Sequence, residues 1–348
     1  MGYAPRKSVV GLDIEPGYVA AVETRPGQVA VERAAMVSLA SGVVTEGEVV
    51  DIETLASVLR GLFAENKFGR RVRLGVANQR IVMRTLDLPP LTDEKDIASA
   101  VRFQAQEHIP MPLDQAVLEH HSLGMVHTDE GPRTRVVLVA ARRDMIERLL
   151  AATRKAGLRP HGIDLSAFAM IRALHTPGAT GAAIYVSVGG MTNLAVAVGS
   201  MCVFTRVIAQ GSESMAGELA ERRGLTLDHA HGWLKHVGLL MPIDDISGDP
   251  EIVVEARAVL SEGVHRIGDE LRTSLDFHRM QNGSVDPERA VLTGPALSIP
   301  GFSDQLGDEV GMPFERGEVA EARPGALGGV DAGRVVVAAG LTIDEVAA

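Results

Sequence analysis

The fold of this chain is decided in residues Val9–Ala34, which read VVGLDIEPGYVAAVETRPGQVAVERA. A β-rich run ends at Ile14 and is followed by Glu15-Pro16-Gly17. Because proline fixes φ and glycine tolerates positive φ, this tripeptide is typical of a tight turn. Two further apolar runs, separated by a Pro-Gly pair, complete the segment. The pattern therefore predicts three strands joined by two turns.

The same pattern recurs at Ala183–Ile208, which reads AIYVSVGGMTNLAVAVGSMCVFTRVI. The two copies lie about 175 residues apart, and such self-similarity indicates a duplicated unit. We predict that each copy forms the first hairpins of one lobe of an α/β fold. The turns of the two lobes then face a common cleft.

The composition is that of a globular protein without a nucleic-acid partner. The 348 residues are 46% hydrophobic and 23% charged, and the formal net charge is −11. An acidic chain without a run of basic residues is a poor non-specific ligand for a phosphate backbone. The single cysteine, Cys202, excludes an internal disulfide and is typical of a reducing compartment.

Neither end of the sequence has a pattern typical of membrane insertion. The opening MGYAPRK precedes a strand-like run rather than an apolar signal segment, and no apolar stretch reaches about 18 residues. The closing LTIDEVAA is acidic, unlike the basic amphipathic helices that lie on anionic lipid. We therefore expect a cytoplasmic protein whose contact with the membrane is made through partners.

Apolar periodicity and turn residues divide the chain into segments. The predicted segments are a first lobe core over 1–88, an inserted helix–strand–strand–helix subdomain over 89–162, a return helix and linker over 163–180, a second lobe core over 181–211 and 288–348, and a helical subdomain over 212–287. The predicted helices are Ile52–Ala64, Thr92–His108, Asp144–Lys155, Ser166–Leu174, Ser214–Arg223, Leu227–Lys235 and a long helix from Pro250. Within the insert, strands Val117–Leu123 and Arg135–Ala141 are joined by a polar loop, His127–Arg133. A final strand and helix are predicted around Val335–Leu341.

Several motifs in this order resemble the PilM family of type IV pilus assembly proteins, actin-like relatives of the cell-division protein FtsA. The motifs are GLDI (Gly11–Ile14), the Gly42–Asp51 stretch, QAQEHIPMPLD (Gln104–Asp114), LVAARRD (Leu138–Asp144), AGLRPHGIDL (Ala156–Leu165) and DELRTSLDF (Asp269–Phe277). The resemblance implies a duplicated, ribonuclease-H-like actin fold with two lobes around a cleft and a small inserted α+β subdomain. It also implies a cytoplasmic scaffold that binds the N-terminal peptide of the inner-membrane protein PilN, with other pilus motor components as further partners.

In this fold two turns hold nucleotide phosphates, and relatives carry Asp-x-Gly-Ser in the first turn and Asp-Ile-Gly in the second. This chain instead has Asp13-Ile14-Glu15-Pro16 and Ser187-Val188-Gly189. The acid adds negative charge where a phosphate belongs, and the proline removes a backbone donor. The adenosine turn also departs from the usual Gly-Gly, because a proline follows its glycine.

Two interpretations of the cleft stay open. In the first, it holds Mg-ATP weakly through Asp13, Gly17, Gly189, Thr192, Lys235, Arg272 and Gly294. In the second, these residues only preserve turns, and no cofactor is bound. We expect weak or no ATP hydrolysis in either case, because each lost transition-state contact costs about 2.7–4 kcal/mol.

The resemblance places the PilN peptide between the first lobe and the insert, where strand addition or groove burial would hold it. The candidate residues are Arg84, Phe103 and Ile109. Phe103 is alternatively a core residue, and Arg84 a solvated charge on an edge strand.

Other functions have weaker support in the sequence. No histidine pair has the i,i+4 spacing of a helical zinc site, and no nucleophile motif is present, so we predict neither a metal nor a catalytic residue. The alternatives to a scaffold are an ATP-switched adaptor, an FtsA-like polymerising protein and an actin-fold kinase. The sequence does not distinguish a twitching pilus from a secretion or DNA-uptake system.

Overall fold

The computed structural model describes residues 9–129, 131–281 and 284–343. The strands are β1 (Val10–Glu15), β2 (Tyr18–Thr24), β3 (Ala30–Ser38), β4 (Val44–Thr45), β5 (Glu48–Val49), β6 (Arg71–Val76), β7 (Val82–Leu88), β8 (Ala116–Thr128), β9 (Gly131–Arg142), β10 (Arg159–Leu165), β11 (Ala182–Val188), β12 (Thr192–Val198), β13 (Met201–Ile208), β14 (Arg289–Thr293), β15 (Phe314–Arg316) and β16 (Ala320–Glu321). The helices are α1 (Ile52–Glu65), α2 (Glu94–His108), α3 (Arg143–Lys155), α4 (Ser166–Leu174), α5 (Ser212–Arg223), α6 (Leu227–Val237), α7 (Pro250–Arg279), α8 (Phe302–Val310) and α9 (Val336–Leu341). None of these helices combines the length and apolar character needed to cross a membrane.

The chain divides into two compact units. The larger is formed by Met1–Ala77 together with Ala152–Ala348, and the smaller by Asn78–Ala151. The segment predicted as an inserted subdomain, 89–162, covers most of the smaller unit, and its bounds remain a prediction. The closing LTIDEVAA extends into residues 344–348, which lie outside the described part.

The first sheet of the larger unit has the strand order β10-β6-β1-β2-β3-β16. Strands β1 and β2 form an antiparallel hairpin in which Asp13 faces Ala20 and Glu15 faces Tyr18. Its turn needs a glycine at position 17, where φ is +88°. All six residues of β1 are buried, since the sheet is covered on both faces. The predicted hairpin at the start of the chain is therefore confirmed.

The second sheet repeats this plan in the order β13-β12-β11-β14-β15. Strands β11 and β12 pair antiparallel around the Gly189-Gly190 turn, and β14 is the parallel neighbour of β11, as β6 is of β1. The long helix α7 packs an apolar stripe into the core beneath this sheet. The duplication that the sequence indicates is present in the strand topology.

Helices α4 and α9 pack against each other in the larger unit, where α9 also contacts β1 and α4 contacts β12. The prediction of a strand near Val335 is wrong: Ala332–Val335 forms a 3₁₀ turn that leads directly into α9. Every residue of α9 is buried. A helix surrounded by apolar groups gives a continuous apolar run, which periodicity does not separate from a buried strand.

The smaller unit is a three-stranded antiparallel sheet of order β7-β9-β8 with α2 packed on it. The predicted polar loop His127–Arg133 is wrong, because both strands continue into it as far as the pair Thr128 and Gly131. A ribbon that is exposed on both sides lacks the apolar alternation by which strands are recognised. The predicted helix Thr92–His108 begins two residues later, at Glu94, because the Asp93 carboxylate caps it by accepting from the backbone N–H groups of Lys95 and Asp96.

Candidate functional site

The β1–β2 turn of the first lobe meets the β11–β12 turn of the second lobe at the Glu15 carboxylate. Glu15 Oε2 accepts hydrogen bonds from the backbone N–H of Gly190 at 2.7 Å and of Met191 at 3.3 Å. Glu15 Oε1 accepts from Asn193 Nδ2 at 3.4 Å. We call this set of contacts the Glu15 bridge. It joins two residues 175 positions apart with a side chain that is only 2% exposed.

The electrostatics of the bridge are those of a buried acid. Burial raises the pKa of Glu15 from 4.5 to about 7, while the backbone N–H groups of Met191 and Gly190 and the Tyr18 hydroxyl oppose this rise. Burial, together with the charge of Glu15, also raises the pKa of Asp13 well above its ordinary value. Asp13 therefore retains its proton more strongly than an exposed aspartate and is a poor ligand for Mg²⁺.

A cavity of about 280 Å³ opens beside the bridge. Residues from both lobes line it, among them Gly17, Tyr18, Glu213, His231, Lys235 and Arg334. Within it, His231 Nε2 lies 2.9 Å from Glu213 Oε1. The cavity thus holds both acidic and basic groups, and two of the seven predicted nucleotide-binding residues, Gly17 and Lys235, contribute to its lining.

Three other residues predicted to bind nucleotide, Thr192, Gly189 and Gly294, stabilise the conformation of the turns in which they lie. The Thr192 hydroxyl donates to the Gln210 carbonyl at 2.7 Å. A Cβ at position 189 would lie 2.6 Å from Glu15 Oε2, so only glycine allows the carboxylate to reach this turn. Gly294 has a φ of +91° and is packed against the backbone of Val188.

Arg272 does not line the cavity. Its guanidinium binds Glu309 Oε2 of α8 at 2.9 Å and also pairs with Asp269 one turn earlier on α7. His265 completes this group, with Nδ1 3.1 Å from Glu309 Oε1. The side chains of His265, Asp269 and Glu309 are close enough together to surround a metal ion. The arginine already neutralises both carboxylates, so the cluster is explained as an ion-pair network between two helices.

The first turn does not fit the phosphate chain of Mg-ATP. The backbone donors that face this turn are already used by a carboxylate of the protein, Pro16 offers no N–H, and burial raises the pKa of Asp13 well above its ordinary value. A phosphate placed at Gly190 would meet the Glu15 side chain and its charge.

The predicted partner residues all lie in the smaller unit. Phe103 is on α2 and is 70% exposed, which excludes its alternative role as a core residue. Arg84 is exposed on β7, an edge strand, and its Nη1 donates to the Met83 carbonyl at 2.9 Å. Ile109 is only 7% exposed and belongs to the core of the unit, so it offers little surface to a partner.

Sequence reasoning missed the residues that complete the site. The hydroxyl of Tyr18, the carboxylate of Glu213 and the guanidinium of Arg334 come from three elements that are distant in sequence. Glu15 was expected only to repel a phosphate, and the structure shows it as an acceptor. The one sequence signal for this role is the pairing of an acidic residue in the first turn with Gly189-Gly190 in the second.

Comparison with known proteins relates this geometry to one family. Residues 11–342 match the family described as type IV pilus assembly protein PilM. A solved structure described as the PilM–PilN type IV pilus biogenesis complex is similar over 97% of this chain and 98% of that chain, with 26% identity and a TM-score of 0.80.

More distant structures share the fold alone. The ethanolamine utilization protein EutJ from Carboxydothermus hydrogenoformans is 16% identical, covers 98% of this chain and 91% of its own, and has a TM-score of 0.55. MreB 5 of Spiroplasma citri bound to AMPPNP is 14% identical, covers 97% of this chain and 95% of its own, and has a TM-score of 0.54. The predicted actin-like α/β fold is therefore confirmed. The match over residues 11–342 shows that this chain belongs to the PilM family of type IV pilus assembly proteins.

Proposed function

We propose that this chain is a cytoplasmic scaffold of a type IV pilus, or of a related secretion machine. In this role it binds the cytoplasmic N-terminal peptide of a PilN-like inner-membrane protein, and this partner holds it at the inner face of the membrane. The observation that carries the proposal is the similarity to the PilM–PilN complex, which extends over nearly the full length of both chains.

The smaller unit offers a surface suited to an extended peptide. Strand β7 lies at the edge of its sheet, so its outer backbone groups are available to a further strand. Phe103 projects from α2, and a large exposed aromatic side chain is a typical anchor for a partner. Arg84 on β7 supplies a positive charge at the same edge. A peptide that adds to β7 would gain affinity from its main chain, with Arg84 beside it, and Phe103 would contact a part of the partner that extends over the outer face of α2.

The test is the affinity of the full-length protein for a labelled peptide from the N-terminus of a PilN-like protein of the same organism, measured by fluorescence anisotropy. We expect Phe103→Ala to weaken binding at least tenfold, which corresponds to about 1.4 kcal/mol. Arg84→Ala weakens it less. Phe277→Ala is the matched control, since this phenylalanine is 53% exposed but lies in the larger unit. Equal affinities of all four proteins would reject the surface, and no binding by the wild type would reject the partner.

A nucleotide-switched adaptor is the second candidate. It is favoured by the cavity, which contains Lys235 and Arg334, and by the AMPPNP described for MreB 5, a neighbour in fold. If Mg-ATP bound here, a concentration of 100 times its dissociation constant would stabilise the protein by about 2.7 kcal/mol. A thermal scan without a shift at millimolar Mg-ATP supports the nucleotide-independent scaffold, whereas a clear upward shift supports the switch.

A further inference from the structure

The β11–β12 turn has the geometry of an anion-binding site. The backbone N–H groups of two consecutive residues, Gly190 and Met191, converge on one oxygen atom, and the Asn193 side-chain amide donates to its neighbour. Successive N–H groups in a glycine-rich turn form a concave site with partial positive charge, which binds carboxylates, phosphates and similar anions. Here the anion is the Glu15 side chain of the same molecule.

The two turns are fitted closely around this contact. A Cβ at position 190 would collide with the Pro16 carbonyl, and a Cβ at position 211 would collide with the carbonyl of Gly189. The Ser212 N–H and hydroxyl, at 2.8 and 3.0 Å, both donate to that same Gly189 carbonyl. The turn is thus enclosed by protein on its other sides, and the Glu15 carboxylate occupies the space in front of its donors.

The charged groups around the carboxylate do not replace these donors. Asp13 and Glu213 are acidic groups that act on Glu15 or its neighbours, the Tyr18 hydroxyl hydrogen-bonds to Glu15, and Arg334 acts on Tyr18. The favourable partners of the carboxylate are therefore the two backbone N–H groups, the Asn193 amide and the Tyr18 hydroxyl, and of these only the first three come from the β11–β12 turn and strand β12.

We propose that Glu15 is a built-in anion that fills the anion-binding turn of the second lobe and thereby fixes the two lobes together without a ligand. The turn then becomes available to an external anion only when the carboxylate is removed. This inference goes beyond the scaffold function and does not depend on it, because peptide binding is not among its readouts.

Chemical rescue tests the proposal. The melting temperatures of the wild type, Glu15→Ala, Glu15→Gln and Glu213→Gln are measured at pH 8, at equal ionic strength, in chloride, formate and phosphate. In chloride, Glu15→Ala is expected to melt roughly 5 °C below the wild type because three hydrogen bonds between the lobes are lost. Formate or phosphate restores at least half of this difference, because a small anion can occupy the vacated donors.

The other proteins are the controls. Glu15→Gln fills the same space and leaves no room for an anion, so no anion-specific recovery is expected. Glu213→Gln removes a negative charge from the same cavity but leaves the turn closed, and it too shows no recovery. Stabilisation of the wild type by formate or phosphate as large as that of Glu15→Ala would overturn the proposal. So would a folded Glu15→Ala without anion-specific recovery.

If Glu15→Ala does not fold, amide hydrogen exchange decides the question. The Gly190 and Met191 amides are expected to exchange at least tenfold faster in Glu15→Gln than in the wild type, because a neutral amide oxygen is a weaker acceptor than a carboxylate. The Thr192–Val198 amides of β12, which pair within the sheet, serve as the internal reference. Equal exchange at Gly190 and Met191 in the two proteins would overturn the proposal.

Discussion

Gly340 of α9 lies directly against the carbonyl oxygen of Ala169 in α4. A Cβ at position 340 would come well within 3.0 Å of that oxygen, a separation that real side chains do not adopt. The same close approach occurs between Gly11 of β1 and the carbonyl of Ala338. The two lobes are therefore joined by backbone surfaces in contact, at a place where no side chain fits.

We predict that Gly340→Ala destabilises the protein by about 3 kcal/mol, because the two helices must separate to admit a methyl group. The measurement is the thermal or urea midpoint of the purified variant. Gly217→Ala is the control: Gly217 is in α5, and nothing would lie within 4 Å of its added Cβ. That substitution should be neutral or stabilising by up to about 1 kcal/mol. Equal effects of both changes would contradict the crowding seen at α4.

The second prediction concerns pH. The pKa of Glu15 is about 7 in the folded protein against an ordinary 4.5, so the folded state binds the proton more tightly than the unfolded state. The stabilisation this provides is complete below about pH 4.5 and is lost as the pH rises through 7. Relative to Glu15→Gln, the wild-type free energy of unfolding should fall by up to about 3 kcal/mol over this window. If the wild type instead becomes more stable relative to Glu15→Gln as the pH rises, the pKa of Glu15 is lowered by folding and the prediction is wrong.

The third prediction concerns the ion pair between Arg172 of α4 and Asp164 of β10. Their side chains are only 10% and 16% exposed, and Arg172 Nε also donates to the Gly340 carbonyl at 3.4 Å. Arg172→Ala leaves a shielded carboxylate without its cation, and we expect a loss of about 3 kcal/mol in unfolding free energy. Arg279→Ala breaks ion pairs with Asp276 and Asp286 on the surface and should cost less than about 1 kcal/mol. Similar losses in the two variants would contradict the difference in burial.

The fourth prediction is that Cys202 does not react in the folded protein. Burial raises the pKa of its thiol to about 12, and Sγ donates to the Phe204 carbonyl at 3.4 Å. Since the thiolate is the nucleophile, labelling by a disulfide reagent at pH 8 should be very slow in native protein and rapid in urea. Rapid labelling of the native protein would mean that β13 opens locally.

The sequence was sufficient to predict the repeated hairpins and most helices. In those segments the local pattern and the tertiary environment agree, as in α1, which is amphipathic and is capped by Asp51. The errors lie in segments whose tertiary environment is not visible in the local sequence pattern. The strand predicted before α9 is absent because the whole segment is apolar, and the far ends of β8 and β9 were predicted as a loop because they are polar. Helix α8 (Phe302–Val310) was not predicted, and it begins after a glycine without a side-chain cap.

The candidate site was less predictable than the fold. The altered first turn is visible in the sequence, but the partners of Glu15 are two backbone N–H groups, which any residue type could provide. Arg272 is predicted to bind nucleotide, but in the structure it pairs with Glu309 and so links α7 to α8. The sequence of α7 does not show which neighbouring helix covers this face.

The position of α9 has a consequence for how the protein is made. Strand β1 is synthesised more than 300 residues before α9, the helix that packs on it. Strand β16, which pairs with β3 at the edge of the same sheet, is also synthesised near the end of the chain. During synthesis, an apolar face of the first sheet therefore remains exposed to solvent until α9 has left the ribosome. Contacts of such long sequence separation slow folding and prolong exposure to aggregation. We therefore expect the nascent first lobe to be prone to aggregation, and truncated chains that lack α9 to be degraded by proteases.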